Sequence, residues 1–192
     1  MVRHQGKRYR GELWFPMVDY ETGEVTGASQ TVLGGYLAGL LGQAGFKTEG
    51  DDFLASYAAM QERYTIIPES IDVTTGRPRG VRTGLRPEFA DACLNLWLGD
   101  RDDRYRALAA THWRNMKATS KAAYGYTSLA DITTRPMTQG DNCPGYWWSE
   151  QMKYYWLLFA QPRRVDFGRL VMSTEANVLR GFVRQPSVAP IS

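Results

Sequence analysis

The stretch that most constrains this chain is Leu85–Gly99, LRPEFADACLNLWLG. Leu85, Phe89, Ala92, Cys93 and Leu96 recur at the spacing of one buried helical face. Pro87 sits where a first-turn proline costs no hydrogen bond. Glu88, Asp91 and Asn95 fall on a second face, three and four residues apart, so their side chains are neighbours. A helix with one apolar stripe and one acidic stripe packs with the first and lines a wet cavity with the second. Glu88 lies in the first turn, where the helix dipole favours its ionised form by roughly 0.3–1 kcal/mol. An ionised carboxylate is what a general base requires. Acids also occupy first turns for capping alone, so the role of Glu88 depends on the rest of the chain.

The other strong periodicities are helical as well. Thr31–Gly42 carries a stripe of Leu33, Tyr36, Leu37, Leu40 and Leu41. Its glycines are poor helix formers but let another backbone come close. Asp51–Tyr64 repeats Phe53, Leu54, Tyr57, Met60 and Tyr64 at helical spacing, and Asp103–Lys121 places Tyr105, Leu108, His112 or Trp113, and Met116 inward. Tyr146–Phe159 is aromatic and apolar nearly all round, which predicts a buried wall. Between the helices, strand-prone loops are expected at Trp14–Thr26, Ile67–Val81 and Ala123–Met137, with a closing strand at Leu170–Leu179. Met1–Leu13 reads as irregular. The loops recur roughly every fifty residues, within the range of a helical repeat or toroid. No low-complexity linker divides the 192 residues, so one domain over residues 1–192 is expected.

Composition excludes several partners. The net charge of +3 is small and its basic residues are scattered, which gives no electrostatic footprint for nucleic acid. The longest apolar run, Tyr154–Ala160, falls far short of the roughly 20 residues of a membrane span. The N-terminal MVRHQGKRYRGEL has no apolar core, so no signal peptide is expected. Cys93 and Cys143 could form a bridge, though Cys93 reads more simply as a small core residue. His4 and His112 show no ligand spacing, and Asp51-Asp52 and Asp100–Asp103 read as charges at helix starts.

Taken in order, LRPE at 85–88, E-x-x-KYYWLLF from Glu150 and STEA at 173–176 resemble the class I α-1,2-mannosidases, the family-47 glycoside hydrolases. WFPMVDYETGEVT at 14–26 is similar to that family's W-x-x-D-V-N-x-x-TG-x-V, and Pro68-Glu69 to its PE. The resemblance runs from about Trp14 to Leu179. It implies an all-α fold of the (α/α)7 barrel type, here a partial barrel with short β-hairpins in its loops. It implies inverting hydrolysis of terminal α-1,2-linked mannose with a bound Ca2+. Glu88 then matches the general base, and Thr174 the threonine that binds Ca2+ through its hydroxyl and carbonyl oxygens. Arg86, Asp91 and Glu175 match residues around the sugar and the water shell of the metal. Tyr146 and Trp147 take the places of paired phenylalanines that stack on the sugar ring, and Glu150 joins the sugar site. Trp147, Trp148 and Glu150 also have simpler readings, as core aromatics and as an ion-pair partner of Lys153.

The same resemblance implies, as partners, a mannose-containing oligosaccharide and the N-terminal half of the barrel. It implies a secretory or extracytoplasmic location. Three positions depart from the pattern: Pro144 stands where an acid is expected, Asn177 replaces a histidine, and Thr31 or Val32 stands near an expected acid or histidine. An inverting glycosidase needs two carboxyl groups about 6.5–9.5 Å apart, and one clear candidate, Glu88, is present. This chain alone is therefore expected to hydrolyse feebly or not at all. Two other readings stay open: a family member that binds mannose glycans without cutting them, and an α-helical repeat module that binds protein.

Overall fold

The computed structural model of the chain describes residues 5–159, 165–179 and 181. His4 lies outside them. The chain opens with a hairpin of β1 (Lys7–Tyr9) and β2 (Glu12–Trp14), where an irregular segment is expected. Its two-residue turn, Arg10-Gly11, has φ of +56° and +85°. Two left-handed residues suit the twist of paired strands, but an arginine there gives no turn signal. A second hairpin follows, β3 (Met17–Val18) and β4 (Val25–Gly27), as the Trp14–Thr26 loop predicts. Asp19 Oδ1 accepts from the Glu21 and Thr22 amides at 2.9 and 2.8 Å and closes its turn.

The predicted Thr31–Gly42 helix is split. β5 (Ser29–Thr31) leads into a 3₁₀ turn over Val32–Gly35, and only then into α1 (Tyr36–Gln43). α2 (Lys47–Tyr64) begins four residues before the predicted start. β6 (Ser70–Asp72) and β7 (Arg77–Gly80) form the next hairpin, and β5 adds to it in the order β5-β6-β7. This pairing spans some forty residues of sequence and is invisible to local patterns. α3 (Glu88–Asp100) and α4 (Asp103–Ser120) follow, with the Asp102 side chain capping α4 by accepting from the Arg104 amide at 2.9 Å. Short pairs β8 (Lys121–Ala122) with β9 (Gly125–Tyr126), and β10 (Leu129–Asp131) with β11 (Thr138–Gln139), fill the next loop. A π-helical turn over Trp147–Gln151 runs into α5 (Met152–Phe159). In Leu170–Leu179 one bridge, Met172 to Val178, closes a small turn. The fold is thus helical with a small antiparallel sheet at most connections, more strand than an all-α description allows.

α3 lies in the middle. It packs against α1, α2, α4 and α5. Phe89, Ala90, Ala92, Cys93, Leu94, Leu96, Trp97 and Leu98 are all buried, as are Leu85 and the predicted stripe. Burying a large apolar side chain contributes roughly 1.5–3 kcal/mol, so α3 is held by most of its circumference. Glu88, Asp91 and Asn95 are the half-buried strip left over. The close approach of α1 depends on glycine, as its composition suggests. A Cβ on Gly39 would meet the Asn95 Cβ at 2.9 Å and the Ala92 Cα at 3.2 Å.

Two expectations fail here. The Tyr146–Phe159 wall is not apolar-packed all round: Trp148, Trp156 and Phe159 are exposed. The π turn shifts the register, so the outer aromatic residues leave the core. The bridge between Cys93 and Cys143 does not form; one thiol is buried in α3 and the other is exposed. Leu33, in the 3₁₀ turn, and Tyr36 and Leu40, on α1, are exposed, so much of the Thr31–Gly42 stripe is not buried. No helix among the described residues is long and apolar enough to cross a membrane.

Candidate active site

A cleft of about 730 Å³ opens beside α3. Arg86, Glu88, Asp91, Tyr146, Glu150, Thr174 and Glu175 line it, together with Leu33, Tyr36 and Tyr154. Seven of the eight residues singled out from sequence are therefore brought to one cavity, from three distant segments. Glu88 and Thr174 share it, as their assignment to one site demands.

Trp147 is the exception. It is fully buried in a second apolar cluster with Ile66, Leu85, Met116, Leu129 and Ile132. Its ring lies 4.8 Å from Tyr126 and 6.3 Å from Trp113, so it is a core aromatic residue and not a sugar platform. Trp147 opens the π turn, and it and Gln151 face the core while Tyr146, Ser149, Glu150 and Tyr154 reach the cleft.

The segment before α3 is held by a small network. Glu69 accepts from Arg86 Nε at 2.9 Å, from Arg86 Nη2 at 2.8 Å, and from the Gly84 amide at 3.2 Å. The Tyr146 hydroxyl donates to the Gly84 carbonyl at 2.7 Å, and its ring lies 5.2 Å from the Arg86 guanidinium. Leu85, between these anchors, has φ +59° and is fully buried. A buried leucine in the left-handed region costs roughly 1–2 kcal/mol, and the network on either side holds it there. In the sequence Glu69 is only part of a Pro-Glu pair; it lies just before β6, seventeen residues from Arg86, and no local pattern links the two.

The acids are not in the state the dipole argument expects. Burial pushes the Glu88 carboxyl up to about 7, and Arg86 counters this only in part. Arg86 is committed to Glu69, and one Glu88 oxygen, Oε2, is buried with no hydrogen-bond partner. Burial also lifts Asp91 to about 7, although Asn95 Nδ2 donates to it at 2.9 Å. Glu150 rises to about 7 through burial and through the adjacent charge of Glu175. Desolvation therefore exceeds the dipole term, because the first turn of α3 faces a partly enclosed cleft rather than bulk water.

The turn that carries Thr174 is clamped to α5. Lys153 Nζ donates to the Ala176 carbonyl at 2.6 Å, and the Tyr154 hydroxyl donates to the Thr174 carbonyl at 3.1 Å. Ala176 sits at φ +54°. Among the described residues no three acidic, histidine or cysteine side chains converge tightly enough to hold a metal ion by themselves. The donors present are a threonine with two oxygens and carboxyl groups around it, a hard-oxygen set. His112 is not part of the cleft. It is buried behind α3, where Tyr155 Oη lies 2.8 Å from its Nδ1.

Comparison with known proteins gives the family and the fold. The family described as Glycosyl hydrolase family 47 matches residues 3–181. Mannosyl-oligosaccharide 1,2-alpha-mannosidase MNS3 of Arabidopsis thaliana is 31% identical over 99 residues, 50% of this chain and 15% of that protein. ER degradation-enhancing alpha-mannosidase-like protein 3 of Homo sapiens is 26% identical over 120 residues, 62% of this chain and 13% of that protein. The chain thus spans a minor part of the curated relatives it matches. Among solved structures, the alpha-1,2-mannosidase from Trichoderma reesei superposes with a TM-score of 0.77 at 20% identity, covering 96% of this chain and 45% of that chain. A sugar epimerase from a ruminal bacterium shares the helical arrangement more loosely, with a TM-score of 0.51 at 16% identity. The chain belongs to glycosyl hydrolase family 47.

Proposed function

We propose that this cleft binds terminal α-1,2-linked mannose and is built for its inverting hydrolysis, with Glu88 as general base. The observation that carries this reading is the convergence of Glu88, Asp91, Glu150, Thr174 and Glu175 on one cavity. A base titrating near neutral pH combines a usable deprotonated fraction with good proton affinity, and Glu88 at about 7 meets that condition. Its unpartnered oxygen is the natural acceptor for a proton from water.

The residues present also fit Ca2+. Thr174 would hold it through two oxygens, and waters ordered by Glu88, Asp91 and Glu175 would complete its shell. The negative charge of the cleft is poorly compensated, since Arg86 is engaged by Glu69 and Lys153 by a backbone carbonyl. A bound Ca2+ supplies a compact positive charge that draws sugar hydroxyl groups and water into the cleft.

Hydrolysis with inversion needs a second carboxyl group across the bond. In the T. reesei structure more than half of the chain lies outside the stretch matched here. We infer that the remaining wall of the barrel supplies that acid, and that this chain alone turns over slowly at most. General-acid help is worth roughly 10²–10⁴-fold. The test is mannose release from α-1,2-mannobiose by the isolated chain, with Glu88→Gln as control, beside calorimetric binding of the same sugar. Binding with little release supports the reading, and no binding overturns it. Strong release abolished by Glu88→Gln points to an acid within these residues, Glu150 or Glu175 first. A non-hydrolytic glycan-binding role is the second reading, favoured by the single unpaired base; it predicts equal sugar affinity for wild type and Glu88→Gln with no release by either.

A further inference from the structure

One exposed ring in the cleft has no part in the chemistry above. Tyr36, in the first turn of α1, is 43% exposed and lines the cleft beside Leu33, which is 45% exposed. Its place follows from the glycine pair before it. A Cβ on Gly35 would lie 3.5 Å from the Glu88 Cβ and 3.6 Å from the Phe89 nitrogen, so the chain at Gly35 rests directly against the start of α3. Tyr36 is the next residue along, and its side chain enters the cleft next to the base. Tyr146 is a different kind of ring. Its hydroxyl is held by Gly84 and its face lies by Arg86. The Tyr36 ring is left open.

A large aromatic surface left open in a cleft is a ligand-contacting feature, because its apolar face gains by leaving water. Pyranose rings present a flat patch of C–H groups that meets such a face. We propose that Tyr36, with Leu33, is a stacking platform for the second sugar of the glycan, the one released when the terminal bond is cut. It would make the site favour an α-linked disaccharide over a single mannoside. This rests on the mannoside-binding reading above. The stripe continues to Leu40, which is 49% exposed but does not line the cleft. Leu40 therefore separates a sugar contact from a protein contact on the same helix.

The test titrates the chain, in the presence of Ca2+, with α-1,2-mannobiose and with methyl α-mannoside. Tyr36→Ala is expected to weaken mannobiose roughly five- to tenfold and to leave the monosaccharide unchanged. Tyr36→Phe retains wild-type affinity, and so does Leu40→Ala. If Tyr36→Ala does not fold, as judged by its thermal melt, Tyr36→Leu removes the ring and keeps the bulk, with the same expected loss. Mannobiose binding that survives loss of the ring overturns the platform while leaving the mannoside reading intact. So does equal weakening of both sugars. A change in sedimentation without any change in sugar affinity makes this face a protein contact and also overturns it. A wild-type chain that binds neither sugar overturns the mannoside reading and the platform together.

Discussion

Glu88 shows how far a local rule reaches. Its place in the first turn is legible from Leu85–Gly99, but its proton affinity is decided by burial. The folded chain holds a proton at about 7 that the unfolded chain releases near the usual carboxylate value of 4.5. Stability therefore falls as pH rises through that window, by at most about 1.4 kcal/mol per unit for this group. Asp91, also lifted to about 7, adds to the fall. His112 acts in the opposite sense: burial pulls it down to about 3, so protonation of the unfolded state costs stability as pH drops below 6.5. Glu88→Gln is expected to gain about 2 kcal/mol on wild type between pH 5 and pH 8, read from urea unfolding at each pH. A constant difference across that range refutes the buried-base description. Trp147 gives a second residue-level outcome. Trp147→Ala should lose about 3–5 kcal/mol of stability as a core deletion. Tyr146→Ala, at a half-buried cleft position, should lose mannobiose affinity with a smaller change in stability. The two are separated by unfolding curves and sugar titrations on the same samples.

At the scale of elements, the contact of α1 with α3 is made by glycine. Helix propensity alone says that Gly39→Ala stabilises by roughly 1 kcal/mol. The structure says otherwise, since the new Cβ would lie 2.9 Å from Asn95 and 3.2 Å from the α3 backbone at Ala92. We expect a loss of about 1–3 kcal/mol in urea unfolding. Gly99→Ala, in the last turn of α3 with nothing within 4 Å of its Cβ, is the matched control and should gain about 0.5–1 kcal/mol. Two gains would mean that α1 does not sit against α3. α2, α3 and α4 were legible from apolar spacing because each buries a continuous stripe, whereas α1 buries Ala38, Gly39 and Leu41 and leaves Tyr36 and Leu40 exposed. Helix starts were less legible: α2 begins early at Lys47, and Gly34-Gly35 delays α1. The π turn escaped detection because an inserted residue leaves no composition signal.

For the whole molecule, the cleft gathers carboxyl groups from α3 and the π turn with the Thr174 turn, and its charge calls for a cation. Calorimetry with Ca2+ should show binding to the wild type and a clear loss with Thr174→Val. Equal heats would remove Thr174 as the ligand. A site made mainly of one residue and waters should bind more weakly than an all-protein cage. The mannosidase from T. reesei contains this fold in 45% of its chain.

Sequence by itself determined which helices form, which faces α2, α3 and α4 bury, and which residues would be drawn together, because periodicity and ordered motifs are properties of the chain. It singled out Glu88, Asp91, Glu150, Thr174 and Glu175, which the structure brings to one cleft. Tertiary structure alone decided three things. It put Trp147 in the core, since Ile66, Leu85, Met116, Leu129 and Ile132, from segments far apart in the chain, close around it. It tied Arg86 to Glu69, since the hairpin that begins just after Glu69 folds residues seventeen apart into contact. And it raised the acids towards neutrality, since desolvation depends on what surrounds a carboxyl group in space, which no stretch of sequence contains.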